Sequence, residues 1–352
     1  MKKNICLFLC VLLLLGCAAC TKKPATPMFS ASKDAMEKQT VNYYFMTSNG
    51  AIIDPKGAYK TKWGDSCLVV FPNGQTMLID AGMQQFYPIL KNRLAELGVT
   101  KLDYVVFTHP HNDHCGGMWA GLMKDFPIGQ VYHNGQKNPS WDKSGSGNHV
   151  EDYCKKYEIP CEALGAGDEK TFGDVSMKVL WPTQEAITAY NAAGGKEALN
   201  CLSLVMRFDF GQHSGLFTGD LYKTYNGLED ENGEQIPGML GAEQQLVTLY
   251  PNGELDVDFL KLPHHGDPST SNSPELFAAT TPKMVMATSF NPVGDYLNVF
   301  KKRGYKNATF FDRQYGNVQF FATADGNLKV NLERTDYLEN FGKTWNKELE
   351  RG

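Results

Sequence analysis

Beyond its first twenty residues the chain has no run long and apolar enough to cross a bilayer. It has no Gly-rich nucleotide loop, no internal repeat and no second linker. Basic charge is not in excess either, with 34 Lys and Arg against 39 Asp and Glu. An acidic chain gains little from the counterion release that drives nucleic-acid binding, so DNA or RNA is disfavoured unless a local basic groove exists. Cys67, Cys115, Cys154, Cys161 and Cys201 show no CxxC spacing, which sets aside a zinc knuckle and a dithiol redox motif.

What is present begins with "MKKNICLFLCVLLLLGC". Two lysines and a short apolar run ending before a cysteine have the layout of a signal peptide over residues 1–16. Leu14-Leu15-Gly16-Cys17 resembles a bacterial lipobox, which implies cleavage before Cys17 and a lipid on its sulfur. Cys20 is the alternative position, and plain secretion the alternative fate. Loss of Lys2 and Lys3 takes the formal charge from −5 to about −7. Residues 17–41, rich in Pro, Ser and Lys, read as a tether. The remainder reads as one large domain, 42–335, with a polar C-terminal helix over 336–352. An exported chain is able to form disulfides, and Cys154–Cys161 is the expected pair.

The apolar pattern gives an order of elements. "DSCLVVFPNGQTMLIDAG" is a hairpin about Asn73-Gly74. "QQFYPILKNRLAELGV" has helical spacing and a stop at Gly98. "KLDYVVFTH" and "VDFLKLPHHG" are buried strands that run into histidines. "LSLVMRFDF" and "HSGLFTGDL" form a second hairpin. Hairpins, helices, and then a second such set predict two mixed sheets face to face with helices outside. Asp80, His109–His114, Asp220 and His264–His265 all fall just past strand ends, where scaffolds place their sites.

In "HPHNDH", His109 and His111 are spaced to grip one cation from one side. Asp113 and His114 leave the backbone in different directions and can reach a second. HxH alone is a weak signal. Four such groups in six residues after a buried strand are costly unless a cation pairs with them. Asp220 is placed to bridge two ions, and Asp80 to fix the tautomer of a ligand histidine.

These motifs resemble the metallo-β-lactamase superfamily. The resemblance implies an α/β fold, a four-layer αβ/βα sandwich of two mixed sheets. It implies two divalent ions, Zn2+ or alternatively Mn2+, on His109, His111, Asp113, His114, Asp220 and His265. Across residues 43–330 the chain more closely resembles the hydrolase domain of ComEC-type competence proteins. Asn200-Cys201-Leu202-Ser203 stands where the superfamily usually has its third-motif histidine, and ComEC-like members share that Asn-x-x-Ser. The ComEC His-Pro pair is absent, with "NPVGDYLNVF" in its place. An insertion, Asn226–Gly241, follows Asp220.

The family's His-before-Gly pattern assigns His265 as ligand and leaves His264 facing substrate, with the reverse assignment open. Asp80, Asp113 and His264 are the expected catalytic groups. The resemblance implies a hydrolase of phosphoesters, foremost phosphodiesters, and the lipobox-like N-terminus implies that it is membrane-tethered and extracytoplasmic. Its substrate is a small-molecule or polymer phosphoester, and the sequence indicates no obligate protein partner. Alternatives are a phosphorylcholine esterase on envelope polymers, a nuclease as in ComEC, or a non-catalytic binding lipoprotein. His133 is expected to be structural, His149 solvated and His213 on the surface. Trp63, Trp119, Trp141 and Trp181 are expected to pack.

Overall fold

A computed structural model describes residues 29–48, 53, 64–136, 150–193, 196–223, 241–267, 269–288 and 308–334. The expected signal segment, Cys17, Trp63, Trp141, His149, residues 226–240 of the insertion, "NPVGDYLNVF" and the expected C-terminal helix over 336–352 lie outside the described residues. Among the described residues no helix is long and apolar enough to cross a membrane.

Strands of continuous apolar sequence are covered on both faces. β1 (Thr40–Phe45), β2 (Cys67–Val70), β3 (Thr76–Ile79), β4 (Leu102–Phe107), β5 (Ile128–His133) and β6 (Cys161–Ala163) belong to one sheet. The other contains β7 (Glu169–Phe172), β8 (Val175–Trp181), β9 (Val205–Phe210), β10 (His213–Phe217), β11 (Phe259–Lys261), β12 (Met284–Ala287) and β13 (Ala308–Phe311). β14 (Val318–Thr323) and β15 (Leu328–Leu332) return to the first sheet, whose order is β15-β14-β1-β2-β3-β4-β5-β6. The second runs β13-β12-β11-β10-β9-β8-β7. Each sheet is mixed, with β3–β4–β5–β6 parallel in the first and β10–β11–β12–β13 parallel in the second.

The inner faces meet in an aromatic core. Tyr43 stacks on Phe259 with ring centroids 5.3 Å apart, and Phe45 on Phe217 at 5.9 Å. Leu90, Leu94 and Ala35 pack with Leu68 and Leu78 on the outer face of the first sheet. Leu246, Leu276 and Tyr190 pack with Leu216 and Leu260 on the outer face of the second. The layers are therefore helix, sheet, sheet, helix, as expected. Asn73-Gly74 turns the β2–β3 hairpin, with Gly74 at φ 82°. Trp119 is half-buried against the outer core, and Trp181 is buried with its Nε1 donating to Cys201 O at 2.7 Å.

Three expectations change. Ser30 caps a helix over Ala31–Lys38, so folded structure is present within residues 17–41, which read as a tether. Ala31 and Ala35 are fully buried, and Ala31 N donates to Leu97 O at 2.9 Å. That helix reads as linker because only two small residues face inward. His213 is buried rather than exposed, with Nε2 3.1 Å from Tyr43 Oη and Nδ1 3.5 Å from Asp258 Oδ2. Its hairpin end is covered by the β14–β15 turn, where Gln212 N donates to Ala324 O at 2.7 Å. Cys154 and Cys161 are free thiols. They share a hydrogen bond instead of a disulfide, and that bond, with His133 beside it, brings the Cys161 thiol down to about 5.

A chain starting at residue 42 loses the helix cap, two buried alanines and fully buried Val41. It should be less stable than one starting at Phe29 by on the order of 3–5 kcal/mol. Urea unfolding of the two chains checks this, and equal midpoints would refute it.

Candidate functional site

Six segments converge at one edge of the sandwich, beyond the carboxyl ends of the parallel strands. β3 is followed by Asp80, β4 by Thr108–His114, β10 by Gly219-Asp220 and β11 by His264-His265. Asp65 precedes β2, and Asn200–Ser203 precede β9. The backbone is strained here. Asp80, His264 and His265 have φ of 58°, 46° and 55°, a left-handed region that non-glycine residues rarely adopt. Gly116 and Gly117 explain the end of "THPHNDHCGG". A Cβ on Gly117 would lie 2.6 Å from Ala81 O, and one on Gly116 2.2 Å from Gln84 N. The two glycines let the helix Asn112–Gly117 seat directly on the loop that carries Asp80. Cys115, within it, is buried and donates to His109 O at 3.1 Å.

The side chains point inward on one another. His109 Nε2 lies 3.1 Å from His111 Nδ1 and 3.9 Å from Asp220 Oδ2. His114 Nε2 and His265 Nε2 lie 3.1 and 3.3 Å from Asp220 Oδ2. His265 Nε2 is also 3.2 Å from Asp113 Oδ2. A zinc ion with bonds of about 2.0–2.1 Å to tetrahedral ligands needs ligand atoms about 3.3 Å apart. His114 Nε2 and Asp220 Oδ1 are buried with no hydrogen-bond partner, as is Asn200 Oδ1. Buried polar atoms without partners are rare, and divalent cations at this point would satisfy the first two. The residues present therefore fit a metal centre.

Asp80 accepts from Thr108 N, Thr108 Oγ1 and His114 Nδ1, each at 2.8 Å. That leaves His114 Nε2 directed at Asp220. Thr108 Oγ1, its proton given to Asp80, takes one from His109 Nδ1 at 3.1 Å, so His109 Nε2 also faces inward.

Burial pushes His109 and His111 below the usual imidazole value, which is the neutral, ligand-competent form. Against the cost of burial, Asp220 and Asp80 hold His114 well above it, and Asp220 and Asp65 do the same for His265. Also against burial, His265 and His114 hold Asp113 below the carboxylate range, and His114 and His265 hold Asp220 there.

His264 is half-buried, its side chain 21% accessible. Its Nδ1 lies 2.6 Å from Thr270 Oγ1, whose proton goes to Asp267 Oδ2 at 3.2 Å. His264 Nδ1 therefore carries a proton, and Nε2 is turned toward Asp220 Oδ2 at 3.9 Å. The Tyr222 ring lies 4.8 Å from the His264 ring.

Asp65 and Lys261 were not identified from sequence. Asp65, His114, Asp220 and His265 offer ligand-type atoms within 4.8 Å of one another. Lys261 is 2% exposed; it pairs with Asp65 and donates to Gly219 O at 2.8 Å. The available signal was a lysine inside the apolar strand "DFLKLP".

The Asn-x-x-Ser departure has a physical account. Asn200 lies beside His111 and favours its charged form. Ser203 Oγ accepts from Asp220 N at 3.0 Å. Ser203→Ala leaves that buried N–H without an acceptor and should cost about 1–3 kcal/mol. Denaturant unfolding of the metal-free protein measures it, and a change near zero would show that another group satisfies the amide.

Residues 61–182 match the family model described as the metallo-beta-lactamase superfamily. The protein named anti-Pycsar protein Apyc1, from Saccharibacillus brassicae, is 27% identical over 142 residues, 38% of this chain and 57% of that one. The chain thus spans little more than half the length of that relative. Among solved structures, the metallo-beta-lactamase fold protein YhfI from Bacillus subtilis aligns at TM-score 0.45 and 14% identity, over 83% of this chain and 99% of that one. CmlA, a diiron beta-hydroxylase from Streptomyces venezuelae, aligns at TM-score 0.45 and 12% identity, over 81% of this chain and 54% of that one. The matched segment contains Asp65, Asp80 and the whole His109–His114 cluster. With two mixed sheets around a cluster that fits divalent cations, the chain has the architecture and candidate metal centre of a metal-dependent hydrolase, and over residues 61–182 it is similar to the metallo-β-lactamase superfamily.

Proposed function

We propose that the protein is a dinuclear phosphodiesterase of ComEC type, exported and tethered to a membrane through lipid on Cys17. The observation that carries the phosphoester reading is Asn200, which faces His111 where the superfamily usually supplies a histidine. A first ion there has fewer protein ligands, so more of its sphere is open to water and a phosphoryl oxygen.

His109 and His111, with Asp220, would hold the first ion. Asp113, His114 and His265, again with Asp220, would hold the second. Bound divalent ions supply a nucleophile of hydroxide strength near neutral pH and Lewis acidity toward the phosphoryl group. The chain supplies orientation and proton handling. Asp80 fixes His114 through Nδ1, and Thr108 fixes His109. His264 has Nδ1 protonated on Thr270, and burial pushes its pKa down. At neutral pH its Nε2 therefore carries a lone pair. It can accept the proton released as water forms the nucleophile and pass it to solvent, acting as a general base.

Protein loaded with Zn2+ or Mn2+ should hydrolyse bis-p-nitrophenyl phosphate and lose that activity on chelation. His111→Ala should lower kcat/KM by more than about 100-fold, since even partners of metal ligands are worth 10–100-fold. No turnover of phosphodiester, phosphomonoester or lactam substrates would sink the proposal.

The tethering is tested separately. Labelled palmitate should enter the wild-type protein in a bacterial host and not the Cys17→Ala variant. Equal labelling of the two, or none, would rule out the anchor.

A further inference from the structure

Asp80 and His114 are one orienting pair in the site. The geometry points to a second: we infer that Asp65, held by Lys261, is the positioning residue for His265 and is not itself a metal ligand. The inference rests on the dinuclear reading above and assigns a role within it.

Each oxygen of Asp65 is already committed. Oδ1 accepts from His265 Nδ1 at 3.0 Å and from Thr288 Oγ1, and Oδ2 pairs with Lys261 Nζ. His265 Nδ1 is the ring nitrogen remote from Asp113 and Asp220, both of which lie within 3.3 Å of Nε2. A carboxylate on Nδ1 keeps the proton there and leaves the lone pair on Nε2, which is how outer partners orient ligand histidines. Asp65 is itself anchored. Its N–H donates to Asp113 O at 3.0 Å, and its carbonyl accepts from Gly82 N at 2.8 Å. One residue thus ties the segment before β2 to both the His109–His114 cluster and the loop that follows Asp80.

Lys261 explains why a fourth carboxylate is tolerated. Asp65, Asp80, Asp113 and Asp220 are all buried or nearly so. Lys261 Nζ contacts Asp65 and lies 3.7 Å from Asp220 Oδ1, the one lysine or arginine paired with them among the described residues. With the histidines neutral, the cluster carries four negative charges and one positive. Two divalent ions with one hydroxide would balance that remainder. Lys261 also blocks Asp65 Oδ2 from turning toward an ion.

The test is metal binding by chelator competition in wild type, Asp65→Ala and Asp65→Asn, with melting of each metal-free protein as the folding control. Asp65→Ala should weaken the second ion by 10–100-fold and leave the first near wild type. Asp65→Asn keeps an acceptor for His265 Nδ1 and should recover most of that loss. Unchanged affinity in Asp65→Ala overturns the inference. A loss in Asp65→Asn as large as in Asp65→Ala overturns it too, because Asp65 would then be a ligand. Wild type that binds fewer than two ions would instead sink the dinuclear reading. If the variants do not fold, 15N NMR of histidine-labelled wild type with bound Zn2+ decides. His265 should be bound through Nε2 with its Nδ1 proton retained, and binding through Nδ1 overturns the inference.

Discussion

The carboxylate of Asp220 sits at the site edge among side chains that come from both sheets. It is 1% exposed, with His114 Nε2 and His265 Nε2 at 3.1 and 3.3 Å. An isolated buried carboxylate is expensive, and it persists only where partners of opposite charge and hydrogen bonds surround it. The first sheet brings His109 and His114, the second brings His265 and Lys261, and Ser203 holds the backbone of Asp220 itself. Neither sheet alone assembles that set.

This requirement accounts for the tight packing at the mouth. Gly116 and Gly117 bring the helix Asn112–Gly117 against Ala81 and Gln84 at distances no side chain would allow. Asp80 and His265 adopt left-handed backbone conformations whose cost is offset by the bonds their side chains make. The aromatic core below fixes the spacing of the sheets, and so the spacing of ligand-type atoms that come from both.

Local chemistry made part of this legible in the sequence. His109–His114 is six residues long, and Asp80 and Asp220 each end an apolar strand at a glycine-containing turn. Asp65, Lys261 and Thr288 have no such pattern, because their partnership spans more than two hundred positions and exists only after the sheets have packed. His213 was misread for a similar reason. "FGQHSG" is a turn by composition, but the turn at Ala324–Gly326 lies over it. The helix Ala31–Lys38 resembles a linker because only two small residues, Ala31 and Ala35, face the core and most of the rest of it is polar. Ser30 caps it, and Asp34–Lys38 forms an i,i+4 ion pair at 2.9 Å on its polar side.

The helix at Ala31–Lys38 sets a working radius. With the proposed lipid on Cys17, no more than the dozen residues to Phe29 can separate the bilayer from the described part of the domain. Fully extended at about 3.6 Å per residue, they reach no more than about 45 Å. A tether running to residue 42 would have roughly doubled that distance. The domain would then survey a thin shell of envelope next to its membrane, and the substrates open to it would be those that enter or are fixed within that shell.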